Sequence, residues 1–256
     1  MSRLDRLRHL RRLAYRRALT RRSYSPETKT TIVDGFHRLY YDEGVASGAT
    51  WKNTYWLGRP VRKCPLDLWV YQEILVAVRP DIIVETGTGR GASALFMACI
   101  CDILQNGQIV TIDVNDRPDR PAHDRVTYLH GSSTSPEISA EVESIVRRHP
   151  GSPTVMVLLD AAHNAEHVLE ELRIYHQLVS AGSYLIVEDT NINGHPVEPG
   201  FGAGPTEAIE MFMSENDVFV VDTDMEKFHL TFNPGGFLKR RGGAQATHQG
   251  APGEGP

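Results

Sequence analysis

Two apolar runs, TVMVLLD at residues 154–160 and YLIVED at 184–189, each end in acid, and a helical stretch lies between them. A strand, a crossover helix and a second strand make a right-handed parallel unit, so the two runs belong side by side in one sheet. Running the same way, they carry Asp160, Glu188 and Asp189 to one sheet edge. Three carboxylates placed so close repel one another unless a cation or protons neutralise them. The pattern points to a hard divalent metal, and such a metal acts on oxygen.

The same alternation runs through most of the chain. DIIVE (81–85) reads as a buried strand, followed by a glycine-rich turn and a helix from about Ala92 to Leu104. QIVTID (108–113) and VTYLHG (126–131) are the next strands, and Glu137–Arg148 the next helix. Val168, Leu172, Tyr175 and Val179 mark one helix face, with Gly182 expected as its C-terminal cap. A helix starts at Pro205 and runs to about Glu215, and VFVVD (218–222) with FHLTF (228–232) reads as an antiparallel pair. Upstream, Pro65 opens a helix through Val78, with Leu68, Trp69, Leu75 and Val78 as core contacts, and Pro80 ends it. Residues 20–50 read as polar and irregular, with helix around Val33–Tyr41. The expected architecture is α/β: a seven-stranded, mostly parallel, doubly wound sheet, Rossmann-like, with its last strand pair antiparallel. Residues 65–240 form that domain, 1–64 a basic helix and a substrate- or oligomer-contact segment, and 241–256 a disordered tail poor in large apolar residues.

Bulk properties exclude several classes. The 256 residues are 41% hydrophobic and 23% charged, an ordinary balance for one large domain. No apolar run reaches the ~18–20 residues of a membrane span, so stable membrane insertion is not expected. Cys99 and Cys101 sit in an apolar stretch as packing, and with Cys64 they suit a reducing cytoplasm better than a disulfide framework. Residues 1–22 carry nine arginines and one aspartate, +8 against −5 for the whole chain, which leaves −13 on the remainder. So acidic a body argues against nucleic acid as the main partner. Leu4, Leu7, Leu10 and Leu13 make the basic segment amphipathic. A transit peptide or a membrane-surface helix would fit, but docking on the acidic body or on a sister subunit in a homo-oligomer fits better. The segment has no separate cleavage-like region and no strong aromatic anchor.

Glu85-Thr86-Gly87-Thr88-Gly89-Arg90-Gly91 joins the first strand to its helix. Glycines there let a ligand approach the backbone at a helix N-terminus. The spacing is G-x-G-x-G, not the G-x-G-x-x-G of dinucleotide binders. A carboxylate at Glu85 would repel a pyrophosphate but suit a cationic ligand such as S-adenosylmethionine (SAM). Asp113, ending the second strand, is placed for ribose hydroxyls, a role common to NAD and SAM enzymes.

With IVETGTGRGASALFMA, LLDAAHNAEHVLEELRIYHQLVSAGSYLIVEDTNINGHPVEPGFGAGP and FNPGGFLKR, the chain resembles the cephalosporin hydroxylase / rhamnosyl O-methyltransferase family of class I SAM-dependent methyltransferases over roughly residues 50–240. The resemblance implies SAM at the glycine loop and Mg²⁺ at Asp160, Glu188 and Asp189, with His163 as general base. Candidate cofactor contacts are Glu85, Thr86, Gly87, Gly91, Ser93, Asp113, Ser132 and Asp160. Candidate substrate contacts are Trp56, His195 and Glu198; Trp51 and Tyr55 offer further sugar-stacking faces, with core packing an equal reading. Asn191–Gly204 reads as an ordered covering loop, and Arg59, Arg62 and Lys63 would suit a phosphate-bearing substrate or be a solvated charge run.

These residues lead to a Mg²⁺-dependent methyl transfer onto a deoxysugar hydroxyl, on a glycoside or a nucleotide sugar, in natural-product or antibiotic assembly. A cephalosporin hydroxylase-like tailoring protein is the alternative, although iron oxygenases normally present two histidines and one carboxylate. A phenol or catechol O-methyltransferase and a non-catalytic cofactor-binding module are the others.

Overall fold

The computed structural model describes residues 24–242. Seven strands form the central sheet: β3 (Ile82–Thr86), β4 (Gln108–Asp113), β5 (Val126–His130), β6 (Val155–Leu159), β7 (Tyr184–Val187), β8 (Phe219–Val221) and β9 (Phe237–Arg240). A two-stranded hairpin, β1 (Tyr55–Trp56) and β2 (Arg59–Pro60), precedes them. The order across the sheet is β5-β4-β3-β6-β7-β9-β8. Strands β3 to β7 pair in parallel, and β9 runs antiparallel to both β7 and β8. Every residue of β3, β6 and β7 is buried, as expected of strands covered on both faces.

Chain order reverses between β3 and β6. Loops leaving these two strands diverge to opposite faces, and open a crevice at their carboxyl ends, where ligands of doubly wound folds bind. Two apolar clusters cover the faces. One gathers Val142, Leu172, Tyr175 and Phe212; the other gathers Tyr71, Leu75, Met97 and Ile186. Helix boundaries follow local chemistry. Pro136–Arg148 is capped by Ser135, whose hydroxyl accepts from the Ile138 N–H at 3.3 Å.

Several expectations need correction. Residues 228–232 form no strand; the edge partner is Phe237–Arg240. The backbone of the expected strand is used elsewhere: the Phe232 N–H donates to Asp67 at 2.8 Å, its carbonyl accepts from Asn191 N–H at 3.1 Å, and His229 is left-handed at φ 61°. The helix at Ala165–Tyr175 ends before Gly182, which instead donates its N–H to the Arg240 carbonyl. The arginine guanidinium takes the Val179 carbonyl. Trp69 is 59% exposed, because Pro65–Val78 turns Val70, Tyr71, Ile74 and Leu75 inward. Cys99 is only half-buried.

Residues 26–47 are helical rather than irregular: Pro26–His37, a wide turn at Arg38–Asp42, and Glu43–Ser47. Tyr41 from this segment stacks on Trp51 at 5.1 Å and meets the Phe232 ring edge-on at 5.1 Å. The segment therefore roofs the crevice. No described helix is long and apolar enough to cross a membrane. The leucine-arginine segment and most of the tail lie outside the described residues.

Candidate active site

Asp160 follows β6, and its N–H is held by the Thr86 carbonyl at 3.1 Å and the Thr86 hydroxyl at 3.2 Å. Asp189 follows β7 in the left-handed region, at φ 54°, where a non-glycine residue carries strain. The Asn233 side-chain carbonyl holds it there by accepting the Asp189 N–H at 3.1 Å. His163 lies one short turn beyond Asp160, with its Nε2 3.2 Å from Asp189 Oδ2. Among the described residues, Asp160, His163 and Asp189 offer donor atoms within 4.8 Å of one another.

Glu188 takes a different position. Its Oε1 accepts from the Tyr71 hydroxyl at 2.8 Å and lies 2.5 Å from Lys63 Nζ. Lys63 also donates to Asp160 Oδ2 at 2.7 Å. The side chains of Lys63 and Glu188 are 4% and 6% exposed, whereas those of Asp160, Asp189 and His163 are 21%, 19% and 29% exposed. The second group therefore faces the cavity, while the first lies beneath it. Burial pushes all three carboxyls upward, Glu188 to about 7. Burial also opposes the Lys63 ammonium, but Asp160, Glu188 and Glu85 hold it charged.

The glycine loop forms the far side of the same crevice. Gly87 has φ 82°, and a Cβ there would sit 1.8 Å from the Asp160 carbonyl oxygen, so the loop and the first acid are locked together by a position that only glycine fills. Asp113 lines the crevice and already accepts three hydrogen bonds, with Arg120 Nη2 beside it as an ion-pair partner outside hydrogen-bond geometry. Gly89 N–H and Arg120 reach Oδ2 at 2.8 and 3.0 Å, and Asn115 N–H and Nδ2 reach Oδ1 at 2.8 and 3.2 Å. One acceptor site is left for a ribose hydroxyl, and a diol taking two would have to displace the Asn115 amide, since a carboxylate accepts about four bonds.

Glu85 is fully buried under the loop, bonded to the Ser93 hydroxyl and, at 2.6 Å, to that of Thr111. Its carboxyl is pushed up to about 7 by burial. Because that value lies above the ordinary one, this group's contribution to stability is complete at low pH and is lost as pH rises through about 7. Thermal melts should accordingly show stability falling from pH 5 to 8, and Glu85→Gln should flatten part of that slope; an unchanged slope would contradict the assignment.

One cavity of about 710 Å³ connects the two halves. Its walls include Gly87, Gly89, Ser93, Asp113 and Ser132 at one end, and Asp160, His163, Asp189, Glu198 and Trp51 at the other. Over residues 48–241 the chain matches the Rhamnosyl O-methyltransferase/CmcI family. The chain belongs to this family. The rhamnosyl O-methyltransferase of Mycobacterium tuberculosis (strain H37Rv) is 39% identical over 82% of this chain and 85% of its own, and that of Mycobacterium leprae is 36% identical over 82% and 91%. A CmcI apo-structure superposes with a TM-score of 0.58 at 22% identity, covering 79% of this chain and 84% of the other. A CmcI structure described as holding Mg and SAM gives 0.54 at 20% identity, over 78% and 84%. These likenesses confirm the fold.

Within this family member, the expected residues divide. Gly87, Ser93, Asp113, Ser132, Asp160, His163, Asp189 and Glu198 line the cavity. Glu85 and Thr86 lie beneath it as supports. Gly91, at φ 75°, shapes the helix entry against Tyr128 and Pro121. Trp56 is partly buried and packs edge-on against Phe96 of the core at 4.9 Å, away from the cavity lining, while Tyr55 is exposed. His195 is drawn to Glu207 at 2.9 Å, which also takes Asn193 Nδ2 and Gly204 N–H and so pins the covering loop. Tyr71 and Asn233 carry no local sequence signal: each acts on a partner brought near only by folding. Lys63, read with Arg59 and Arg62 as a phosphate contact or a solvated charge, is instead buried against Asp160 and Glu188. Glu207 could have been found as the third residue of the helix opened by Pro205, where it caps Gly204 N–H.

Proposed function

We propose that the chain transfers the methyl group of SAM to a hydroxyl of a rhamnose-like deoxysugar, with Mg²⁺ at the acid cluster. The observation that carries this reading is the single cavity joining the glycine loop and Asp113 to Asp160, His163 and Asp189. The activity in the names of the 36–39% identical relatives supports the sugar.

SAM supplies an electrophilic methyl carbon, and Mg²⁺ a Lewis acid that lowers the pKa of a hydroxyl. The residues fit both groups. Asp160 and Asp189 offer hard oxygen donors partly open to the cavity, the type Mg²⁺ prefers, and a nitrogen donor suits it less. That preference leaves His163 to accept the acceptor's proton, with Asp189 steadying its ring. The close Gly87–Asp160 contact sets the glycine loop beside these acids, so a methyl donor held by the loop would lie near them. The stacked Tyr41 and Trp51 rings and Phe201 form an apolar wall suited to a sugar face, and their roof position limits water. Arg62, Arg90 and Arg117 on the cavity wall suit a phosphate and so a nucleotide-linked acceptor, with a finished glycoside of antibiotic type as the other form of acceptor. The unpaired Cys64, Cys99 and Cys101 fit a cytoplasmic setting, and the N-terminal basic segment a homo-oligomer contact.

Methyl transfer from labelled SAM to free, nucleotide-linked and glycosidic deoxysugars, each with Mg²⁺ or EDTA, tests the proposal. Methylation of a linked deoxysugar that stops with EDTA is expected. Turnover of a catechol alone, or turnover indifferent to EDTA, would overturn it.

A further inference from the structure

The cluster at the ends of β6 and β7 holds three carboxylates and one ammonium. Lys63 Nζ lies 2.7 Å from Asp160 Oδ2 and 2.5 Å from Glu188 Oε1, and its side chain is 4% exposed. An ammonium between two carboxylates at such distances offsets their charge as a bound cation would. The four side chains together carry −2 when the acids are ionised, the charge a divalent ion balances. Without Lys63 the same cluster carries −3.

Glu188 is fixed by a relay that meets the same Oε1 as Lys63. Tyr71 donates to it, Asn233 Nδ2 donates to the Tyr71 oxygen at 2.7 Å, and Asn233 also holds the Asp189 backbone. Lys63 is tethered too: it follows Arg62, which lines the cavity in a left-handed conformation at φ 54°, and precedes the helix starting at Pro65.

We propose that Lys63 is a tethered counter-cation that holds the Asp160–Glu188 pair, and that a divalent ion binds by competing with it for Asp160. This rests on the reading of Asp160 and Asp189 as cation ligands given above. Lys63 thereby keeps the cluster folded before an ion arrives, and sets how tightly the ion is held. Two like cations near one carboxylate repel strongly in a partly buried site, so the competition is large.

The test uses the full chain, with Mn²⁺ as the probe. Mn²⁺ affinity by electron paramagnetic resonance, and melting temperature with and without Mn²⁺, are compared for wild type, Lys63→Met and Lys63→Gln. Both variants should melt lower than wild type in EDTA, bind Mn²⁺ at least about tenfold tighter, and gain more in melting temperature from it. A merely structural lysine would lower melting equally with and without Mn²⁺, and that result overturns the proposal. So does equal or weaker Mn²⁺ affinity in a folded variant. Lys63→Gln keeps a hydrogen-bonding group between the acids, so the comparison survives if Lys63→Met does not fold. Absence of Mn²⁺ binding in wild type and in both variants overturns the metal reading as well, whereas tight wild-type binding unaffected by Lys63 overturns this inference alone.

Discussion

Replacing His163 with alanine should lower kcat for methyl transfer by about 10²–10⁴-fold, the usual worth of a positioned general base. A sugar hydroxyl is a weak nucleophile, and its proton must leave as the new O–CH₃ bond forms. His163 is the histidine placed for this, 29% exposed on the cavity wall and 3.2 Å from Asp189. His167 lies one helical turn on, but its Nε2 is 3.4 Å from the buried Glu171 and 3.3 Å from the Ser133 hydroxyl, so it is occupied. If His163 serves as base, Mn²⁺ affinity should stay within a few-fold of wild type while kcat falls. If it is a metal ligand instead, affinity should drop with kcat. Steady-state kinetics with direct Mn²⁺ titration separate the two, and an unchanged kcat would remove His163 from the mechanism.

Asp160→Asn should be the more damaging change. Asp160 is the acid that touches both parts of the cluster: it carries Lys63 at 2.7 Å and shares the candidate cation group with Asp189. The amide keeps the shape but removes the charge, and turns one hydrogen-bond acceptor into a donor facing an ammonium. A bound metal contributes several kcal/mol of charge stabilisation, so the expected loss is about 10³-fold or more in kcat/KM. Mn²⁺ affinity should fall in parallel. Wild-type turnover that survives both EDTA and this substitution would end the metal mechanism.

The acids of this site were legible because they end buried apolar runs. TVMVLLD and YLIVED can only be interior strands, and parallel pairing places their ends together. Seven strands were expected, but one was misplaced: FHLTF has the alternation of a strand, yet Asp67 and Asn191 claim its backbone, and the quieter FLKR pairs with β7 instead. Glu85 was placed rightly in the chain but not in space. Its carboxyl faces Ser93 and Thr111, which a strand-and-turn pattern does not reveal. Trp56 was drawn into the site by its aromatic character, which serves core and sugar equally well.

The sequence alone determined the order of the parallel strands, the edge where the acids gather and the glycine loop opposite them, since periodicity and crossover handedness are local or nearly local rules. Tertiary structure decided which acids face the cavity. Lys63 stands 97 residues before Asp160, and Tyr71 is 117 residues from Glu188; neither pairing has a spacing that a sequence pattern encodes. A buried carboxylate takes whichever partner the packed chain brings within about 3 Å, because leaving it unpaired costs more than any local preference. Glu188 was therefore turned inward to Lys63 and Tyr71, and Asp160, His163 and Asp189 were left facing the cavity.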